Sequence, residues 1–427
     1  MDADTDVPDT DVHETDVPIA DSLDSDSFAT SVLVRERGGS VLASRNPDVP
    51  LPPASNTKLL TAALSLHHLG PSYRFETRVS RLGESLVLSG RGNPSLSPDD
   101  LSRLADAVRD AGIGSVTNTI ADTGWFGDQS RGPGWMWEDG QYGYGAESTP
   151  LALSGNAVSV TVSGTDVEVT PDTDAVEIRA QFDETAAELR VFRDCPENTI
   201  RVEGKPPEEP RTETVPVGDP VRHCLLAFRD ALEEKGVDHT GGVRVTDDTE
   251  SGETVATATS PPVSELVREM NVPSDNFLAE QLARTVAREV RGAGSWDAWE
   301  RVVGDFLDAR DAGRARIRDG SGLSRYNLIS ARGLVRTLEW VGERPWSEAF
   351  FDSLPAPGEG TLEERFADVS GVRAKTGTLT GSRTLSGTVH REDGTDVLFS
   401  VLLGGLVGDD EERARKRIDA FVSGVAD

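Results

Sequence analysis

Two serines and two lysines in this chain stand at spacings that suit acyl transfer. Ser55-Asn56-Thr57-Lys58 places a hydroxyl and an amine three residues apart, so on a helix they share one face. An amine held there can take the hydroxyl proton once burial and a second nearby cation have depressed its pKa toward that of a usable base. Lys375, in Lys375-Thr376-Gly377, is the candidate for that second cation. Ser274-Asp275-Asn276 adds a further hydroxyl and an amide. With Ser55 in the first turn of a helix, its own backbone N–H lies at the positive helix end, where a developing oxyanion can be held.

Taken singly, the three motifs differ in weight. At this composition, Ser-x-x-Lys and Ser-x-Asn arise by chance about half a time and about once, and Lys-Thr-Gly about 0.05 times. Each also has an ordinary reading. Ser55 would serve as an N-cap, and Ser274 and Asn276 as a turn or cap before a helix over 276–290. The lysines would be solvated surface groups. That last reading is weakened because only five of the 43 basic residues are lysine, and two of those five fall in the motifs. Jointly, in this order and on these element types, the motifs are specific.

The elements that would position them can be read from periodicity and turn residues. FATSVLVRER and SVLASRN alternate about Gly38-Gly39, a hairpin signal. In LPPASNTKLLTAALSLHHLG, two prolines stop the strand and Leu59, Leu60, Ala63, Leu66 and Leu69 recur at helical spacing, so this helix should be buried. His67-His68 reads as its surface. From 78 to 254 the texture is β-rich: LVLSG, AVSVTVSG, DVEVT, ELRVF and TIRVEG lie between Gly, Asp and Pro turns, with helices at 99–112 and 220–235. Four helical stretches follow from 261, then strands around RAKTGTL, LSGTVH and DVLFSVLLGG, and a charged helix over 409–425. The expected fold is α+β, a mixed antiparallel sheet covered by helices, with its first and last strands from distant parts of the chain. The catalytic domain is expected to be discontinuous, 23–77 and 255–427, around an inserted region of 78–254 that divides into one or two subdomains. Residues 1–22, with repeated Thr-Asp-Val and few large apolar groups, read as a disordered acidic tail.

Composition narrows the setting. With 427 residues, the chain has room for two or three domains. Acidic residues outnumber basic ones by 74 to 43, a net charge of −31, which repels phosphate backbones and argues against nucleic-acid binding. An acidic, lysine-poor surface suits strong salt, where self-repulsion is screened over about 3 Å at 1 M; the composition reads as halophilic. The longest strongly apolar stretch, Val397 to Val407, is too short to span a bilayer. No secretory signal is visible at the start. Cys195 and Cys224 cannot form a zinc site alone and need not pair. The chain lacks Gly-x-Ser-x-Gly, His-Glu-x-x-His and Gly-x-Gly-x-x-Gly, so neither an α/β-hydrolase nor a zinc peptidase is supported, and no metal or cofactor is expected.

The sequence resembles the penicillin-recognising serine enzymes, specifically the low-molecular-mass class C penicillin-binding proteins, the D-alanyl-D-alanine carboxypeptidase/endopeptidases. The resemblance covers about 28 to 408. It rests on the three motifs, on PPASNTKLLTAAL, on GRGNPSLS at 90–97, and on YGAESTPLALSGNAVSV at 144–160. SELVREMNVPSDNFLAEQLAR, DGSGLSRYNLISARGLV at 319–335 and RAKTGTLTGSRTLSG extend it. The 219 positions from Ser55 to Ser274 match the large insertion of that class alone.

The resemblance implies a penicillin-binding/β-lactamase-like catalytic domain in which Ser55 attacks a terminal D-alanyl peptide bond with Lys58 as base. It implies that Ser274 relays the proton to the leaving amine, Asn276 holds the substrate amide, and Lys375 with the Thr376 and Thr378 hydroxyls receives the terminal carboxylate. The N–H groups of Ser55 and Thr378 would form the oxyanion hole, and water would release the acyl group. Gly322 and Gly377 would serve close backbone approach. Asp139 and Tyr144, in GPGWMWEDGQYGYGAE, and Arg325, ending DGSGLSR, are candidates for a substrate side-chain pocket, with ordinary loop packing as the alternative. The implied partners are D-alanyl peptides or peptidoglycan fragments, with β-lactams as acylating inhibitors; self-association into a homo-oligomer is left open. The family is usually extracytoplasmic, while this chain shows no signal, so the compartment is left open too. The alternatives are a β-lactamase, a D-amino-acid peptidase or esterase of the same fold, and a catalytically silent binding protein.

Overall fold

The computed structural model describes Leu23 and residues 28–127, 129–248 and 252–426. The tail expected over 1–22 lies outside the described residues.

Strands β1 (Ala29–Glu36) and β2 (Val41–Arg45) form the hairpin read around Gly38-Gly39. Gly38 takes φ +69°, which favours glycine. A 3₁₀ turn, Ala54–Asn56, leads into α1 (Thr57–His68). After the inserted region come α2 (Val263–Asn271), α3 (Asn276–Arg291), α4 (Trp296–Asp308) and α5 (Ala331–Gly342). The chain closes with β3 (Val372–Leu379), β4 (Ser382–His390), β5 (Asp396–Gly404) and α6 (Asp410–Ala426).

The five strands form one antiparallel sheet in the order β3-β4-β5-β1-β2, so the N-terminal hairpin pairs with the last strand, Val32 opposite Val401. Strand β5 is the apolar run flagged in the sequence, and its near-continuous hydrophobicity follows from helices covering both faces. Leu398 and Leu402 enter the core shared with α1, α3 and α5, whereas Val397, Phe399, Val401 and Leu403 enter a second core closed by Ile418, Phe421 and Val422 of α6.

Helix α1 runs through the first core with all its residues from Thr57 to Leu66 buried. Burying Lys58 among them costs several kcal/mol. Leu59, Leu60, Leu64 and Leu66 offset this at about 1.5–3 kcal/mol each.

The inserted region builds two further cores. In the first, a mixed sheet runs in the order Val243–Thr246, Thr119–Asp122, Ser85–Gly90, Glu76–Leu82, Glu253–Thr259, and helices Pro98–Asp110 and Pro220–Glu234 pack on it through residues such as Leu104, Val108, Leu225 and Phe228. In the second, two three-stranded sheets share a cluster of Val158, Val160, Val162, Ile200, Val202 and Val215. Both cysteines are free thiols: Cys195 donates to the Gly140 carbonyl at 3.3 Å, and burial pushes the Cys224 thiol well up. No described helix is long and apolar enough to cross a membrane.

Candidate active site

Ser55 sits in the 3₁₀ turn rather than in the α-helix proper, and it caps nothing. Neither the turn nor α1 has a side-chain cap, and the Ser55 hydroxyl meets Lys58 Nζ at 3.0 Å instead. The turn is wedged in place. Ala54 takes φ +49°, uncommon for a residue with a Cβ. Gly322 packs so closely that a Cβ there would collide with the Ala54 carbonyl, and a Cβ at Gly377 would strike Thr384 and the Pro53 carbonyl. Asn56 ties the turn to the sheet, its amide placed to donate to the Lys375 carbonyl at 2.7 Å and to accept from Ser386 Oγ at 2.7 Å.

Lys58 is fully buried and has three neighbours for its amine: Ser55 Oγ, Asn276 Oδ1 at 2.7 Å and the Ser321 carbonyl at 2.9 Å. Two of these are acceptors only, so they fix two N–H bonds. The third tetrahedral position, a proton in the ammonium and the lone pair in the free amine, therefore points at Ser55. Burial lowers the Lys58 pKa to about 8, and the carboxylates of Glu280, Asp275 and Asp319 keep it from falling further. Lys375, also fully buried, is pushed well below the ordinary lysine range by burial and then by the Lys58 charge; its Nζ donates to the Thr376 carbonyl at 3.2 Å.

Ser274 adopts φ +67° just before α3. The cap of that helix is Asp275, whose Oδ1 accepts from the Leu278 N–H at 2.8 Å, so the neighbours Ser274 and Asn276 are left to face the cleft.

The cleft has a volume of about 460 Å³ and is lined by Ser55, Ser274, Asn276, Thr376, Thr378, Asp139, Tyr144 and Arg325, among others. Eight of the residues singled out thus meet in one place, drawn from the 3₁₀ turn before α1, the start of α3, β3 and two loops. Lys58, Lys375 and Gly377 are buried and do not line it. Within the GPGWMWEDGQYGYGAE loop, Asp139 accepts from the Met136 N–H at 2.7 Å. Burial and the Asp139 charge raise the Tyr144 pKa, and the Tyr144 carbonyl accepts from Asn276 Nδ2 at 3.0 Å.

Several supporting residues escaped the sequence reading. Glu280 is fully buried one turn below Asn276; its oxygens accept from the N–H groups of Gly320 (2.8 Å) and Ser321 (2.9 Å), which aims the Ser321 carbonyl at Lys58. Burial and the neighbouring Asp319 push its carboxyl up to about 8, against these hydrogen bonds. Asp319 is buried too and accepts from Gly322 N, Ser324 N, Asn327 Nδ2 and Trp135 Nε1. Farther along α3, Gln281 and Arg284 hold the loop that carries Asp139 and Tyr144. Ser148 Oγ donates to Gln281 at 2.5 Å, and Arg284 donates to the Ser148 and Gly127 carbonyls at 2.6 and 2.9 Å from between Phe126 and Trp296. The only trace in the sequence is polar residues at i+4 spacing, Asn276, Glu280 and Arg284, with Gln281 and Thr285 beside them, on a helix whose other inner residues are apolar.

A sequence model of the D-Ala-D-Ala carboxypeptidase 3 (S13) family matches residues 17–425. The chain belongs to this family. The S13 enzymes are serine-type carboxypeptidases, so the hydrolase class read from the motifs holds. A D-alanyl-D-alanine carboxypeptidase of Actinomadura sp. (strain R39) is 34% identical over 419 residues, covering 88% of this chain and 78% of that protein. A D-alanyl-D-alanine carboxypeptidase of Haemophilus influenzae is 24% identical over 411 residues, covering 88% and 85%. Among solved structures, penicillin-binding protein 4 of Haemophilus influenzae superimposes with a TM-score of 0.83 at 22% identity, covering 96% of this chain and 98% of that one. A second structure of that protein, complexed with a β-lactam, gives a TM-score of 0.77. The expected α+β fold, with its β-rich insertion, is therefore the S13 fold.

Proposed function

We propose that this S13 enzyme is a serine D-alanyl-D-alanine carboxypeptidase/endopeptidase that works through an acyl-enzyme on Ser55. The observation that carries the reading is the Lys58 amine. Its two hydrogens are committed to Asn276 and Ser321 while its remaining position faces the Ser55 hydroxyl at 3.0 Å. A buried amine titrating near 8 is roughly one-tenth free base at neutral pH, far more than an ordinary lysine, as a general base requires. Ser55 Oγ attacks the carbonyl of the D-alanyl bond and its proton passes to Lys58. Ser274, which also lines the cleft, delivers a proton to the leaving amine. Thr376 and Thr378 face the cleft where a terminal carboxylate would sit, with the Lys375 amine behind them, whose charged form a bound carboxylate would favour. The N–H groups of Ser55 and Thr378 receive the oxyanion. Water then hydrolyses the ester.

The division into a catalytic part of 23–77 and 255–427 and an insertion of 78–254 belongs to the same proposal; separate hydrophobic cores support two parts, with the insertion's sheet reaching out to residues 76 and 259. β-Lactams should acylate Ser55. The charge of −31 with five lysines supports a protein built for molar salt. In the test, Ser55→Ala loses both penicillin acylation and D-Ala release from an acyl-D-Ala-D-Ala peptide by several orders of magnitude. Retention of either activity would overturn the assignment.

A further inference from the structure

The cleft takes Thr376, Thr378 and Leu379 from the later half of β3. A separate pocket, of about 420 Å³, takes Val372 and Arg373 from the start of that strand and shares no described lining residue with the cleft. Its volume is in the range of small-molecule sites. Its polar groups come from the strand ends: Arg37 follows β1, His390 closes β4 and Asp396 opens β5. Helix Ser347–Asp352 and the chain after it add the apolar groups of Phe351 and Pro357.

The two arginines are held by backbone. Elsewhere Arg332 and Arg211 meet carboxylates at 2.6 Å. Here Arg37 donates to the Gly342 carbonyl at 2.6 Å and Arg373 to the Leu354 carbonyl at 3.1 Å. The carboxylates beside them are more distant, Asp396 at 3.4 Å from Arg37 and Asp352 at 3.7 Å from Arg373. A carbonyl fixes a guanidinium without neutralising it, and the remaining N–H groups of the fork suit another acceptor. Arg37 also lies over the Phe351 ring, its Cζ 5.4 Å from the ring centre. Asp396 turns its other oxygen to His390 Nδ1 at 2.8 Å. Two guanidinium groups against one lining carboxylate leave a surplus of one positive charge, on a chain whose net charge is −31.

We propose that this pocket is a binding site for a monocarboxylate with an apolar body. The carboxylate accepts from the guanidinium groups of Arg37 and Arg373, and the body lies against Phe351 and Pro357. One surplus positive charge matches one carboxylate, whereas the second charge of a phosphate dianion would be repelled by Asp396. The apolar surface separates this ligand from a simple anion. A small organic acid and the C-terminal end of a peptide with an apolar last residue both carry this chemistry.

The test is isothermal titration calorimetry of the full chain in molar KCl. Octanoate is the acid probe, acetate and octanol are its two halves, and N-acetyl-leucyl-phenylalanine is the peptide end. Octanoate or the peptide should bind saturably, at least about tenfold more tightly than acetate or octanol. In Arg37→Gln and in Arg373→Gln that binding should weaken about tenfold, the usual worth of a hydrogen bond to a charged group, whereas Arg325→Gln, in the cleft, should leave it within twofold. A preference for octanoate assigns the pocket to a free acid, and the reverse preference to a chain end. No saturable binding by wild type, acetate or octanol as tight as octanoate, or a loss that appears in Arg325→Gln instead, would overturn the proposal.

Discussion

The helical half of the molecule and the second core of the inserted region use charge in opposite ways. Around Ser55 the protein buries Lys58, Lys375, Glu280, Asp319 and Arg284. The cluster centred on Val160 and Ile200 is closed by aliphatic residues, and charges of its strands pair on the outside, as in Arg179–Glu177 and Arg211–Glu213, while Arg193 alone of its strand's charges is buried, donating to the Gly140 carbonyl. Both arrangements are stable for different reasons. An interior charge is tolerated where fixed dipoles and opposite charges replace water, which preorganises a site; a surface pair contributes little and leaves the interior free for packing. Interior charge is therefore densest where the chemistry is, with Asp122 and Arg193 as buried charges of the inserted region.

This contrast breaks most sharply at Lys58. Lys58→Ala should slow acylation of Ser55 by about 10²–10⁴-fold, the usual worth of a positioned base, as read by the rate of labelled penicillin incorporation. Loss of less than tenfold would mean that the buried amine is structural.

Glu280 sharpens the contrast, because its charge raises the Lys58 pKa. In the wild type, acylation should rise with pH through about 8 as the Lys58 amine loses its proton. Removing the Glu280 charge stabilises the ammonium less, so Glu280→Gln should move this limb toward lower pH. It should also slow acylation about tenfold, because the Ser321 carbonyl is held less firmly. An unmoved limb would show that Glu280 acts on packing alone.

In the aliphatic core the expected effects separate the other way. Ile200→Ala should cost about 2–5 kcal/mol of stability through the cavity it opens, with penicillin acylation of the folded protein unchanged. A parallel loss of acylation would show that the two regions are not independent. The smallest single-residue effect belongs to the exterior: breaking the exposed Arg179–Glu177 pair should leave the melting temperature unaltered. The exterior acts in sum instead. Melting temperature and activity should rise together between about 0.1 M and 2 M KCl as the Debye length falls from about 10 Å to under 3 Å. A melting curve indifferent to salt would remove the halophilic reading.

The sequence carried the aliphatic parts and the motifs well, and for the same reason: both are local patterns. Helices α1 and α3 and strands β3 to β5 lie where periodicity put them, since burial on one face or on both leaves a pattern of period 3.6 or 2, or an unbroken run. The turn at Ser55 was less legible, because its geometry comes from Gly322 and Gly377, which approach from far along the chain. Glu280 and Arg284 were invisible as site residues. A polar residue on a helix reads as solvated until the loops that it holds, 319–324 and 127–148, are known to cover it. The wall of the cleft at Tyr144 depends on a loop of the inserted region meeting Asn276 at the start of α3, a juxtaposition that no local pattern encodes.

The central claim is that Ser55 is the nucleophile made reactive by the buried Lys58. Its most direct test is mass spectrometry of the folded protein after incubation with penicillin in molar KCl, followed by proteolysis and mapping of the adduct. The account predicts one penicilloyl group per chain, on the peptide containing Ser55, formed faster as pH rises toward about 8. No adduct, or an adduct on a peptide without Ser55, would contradict it.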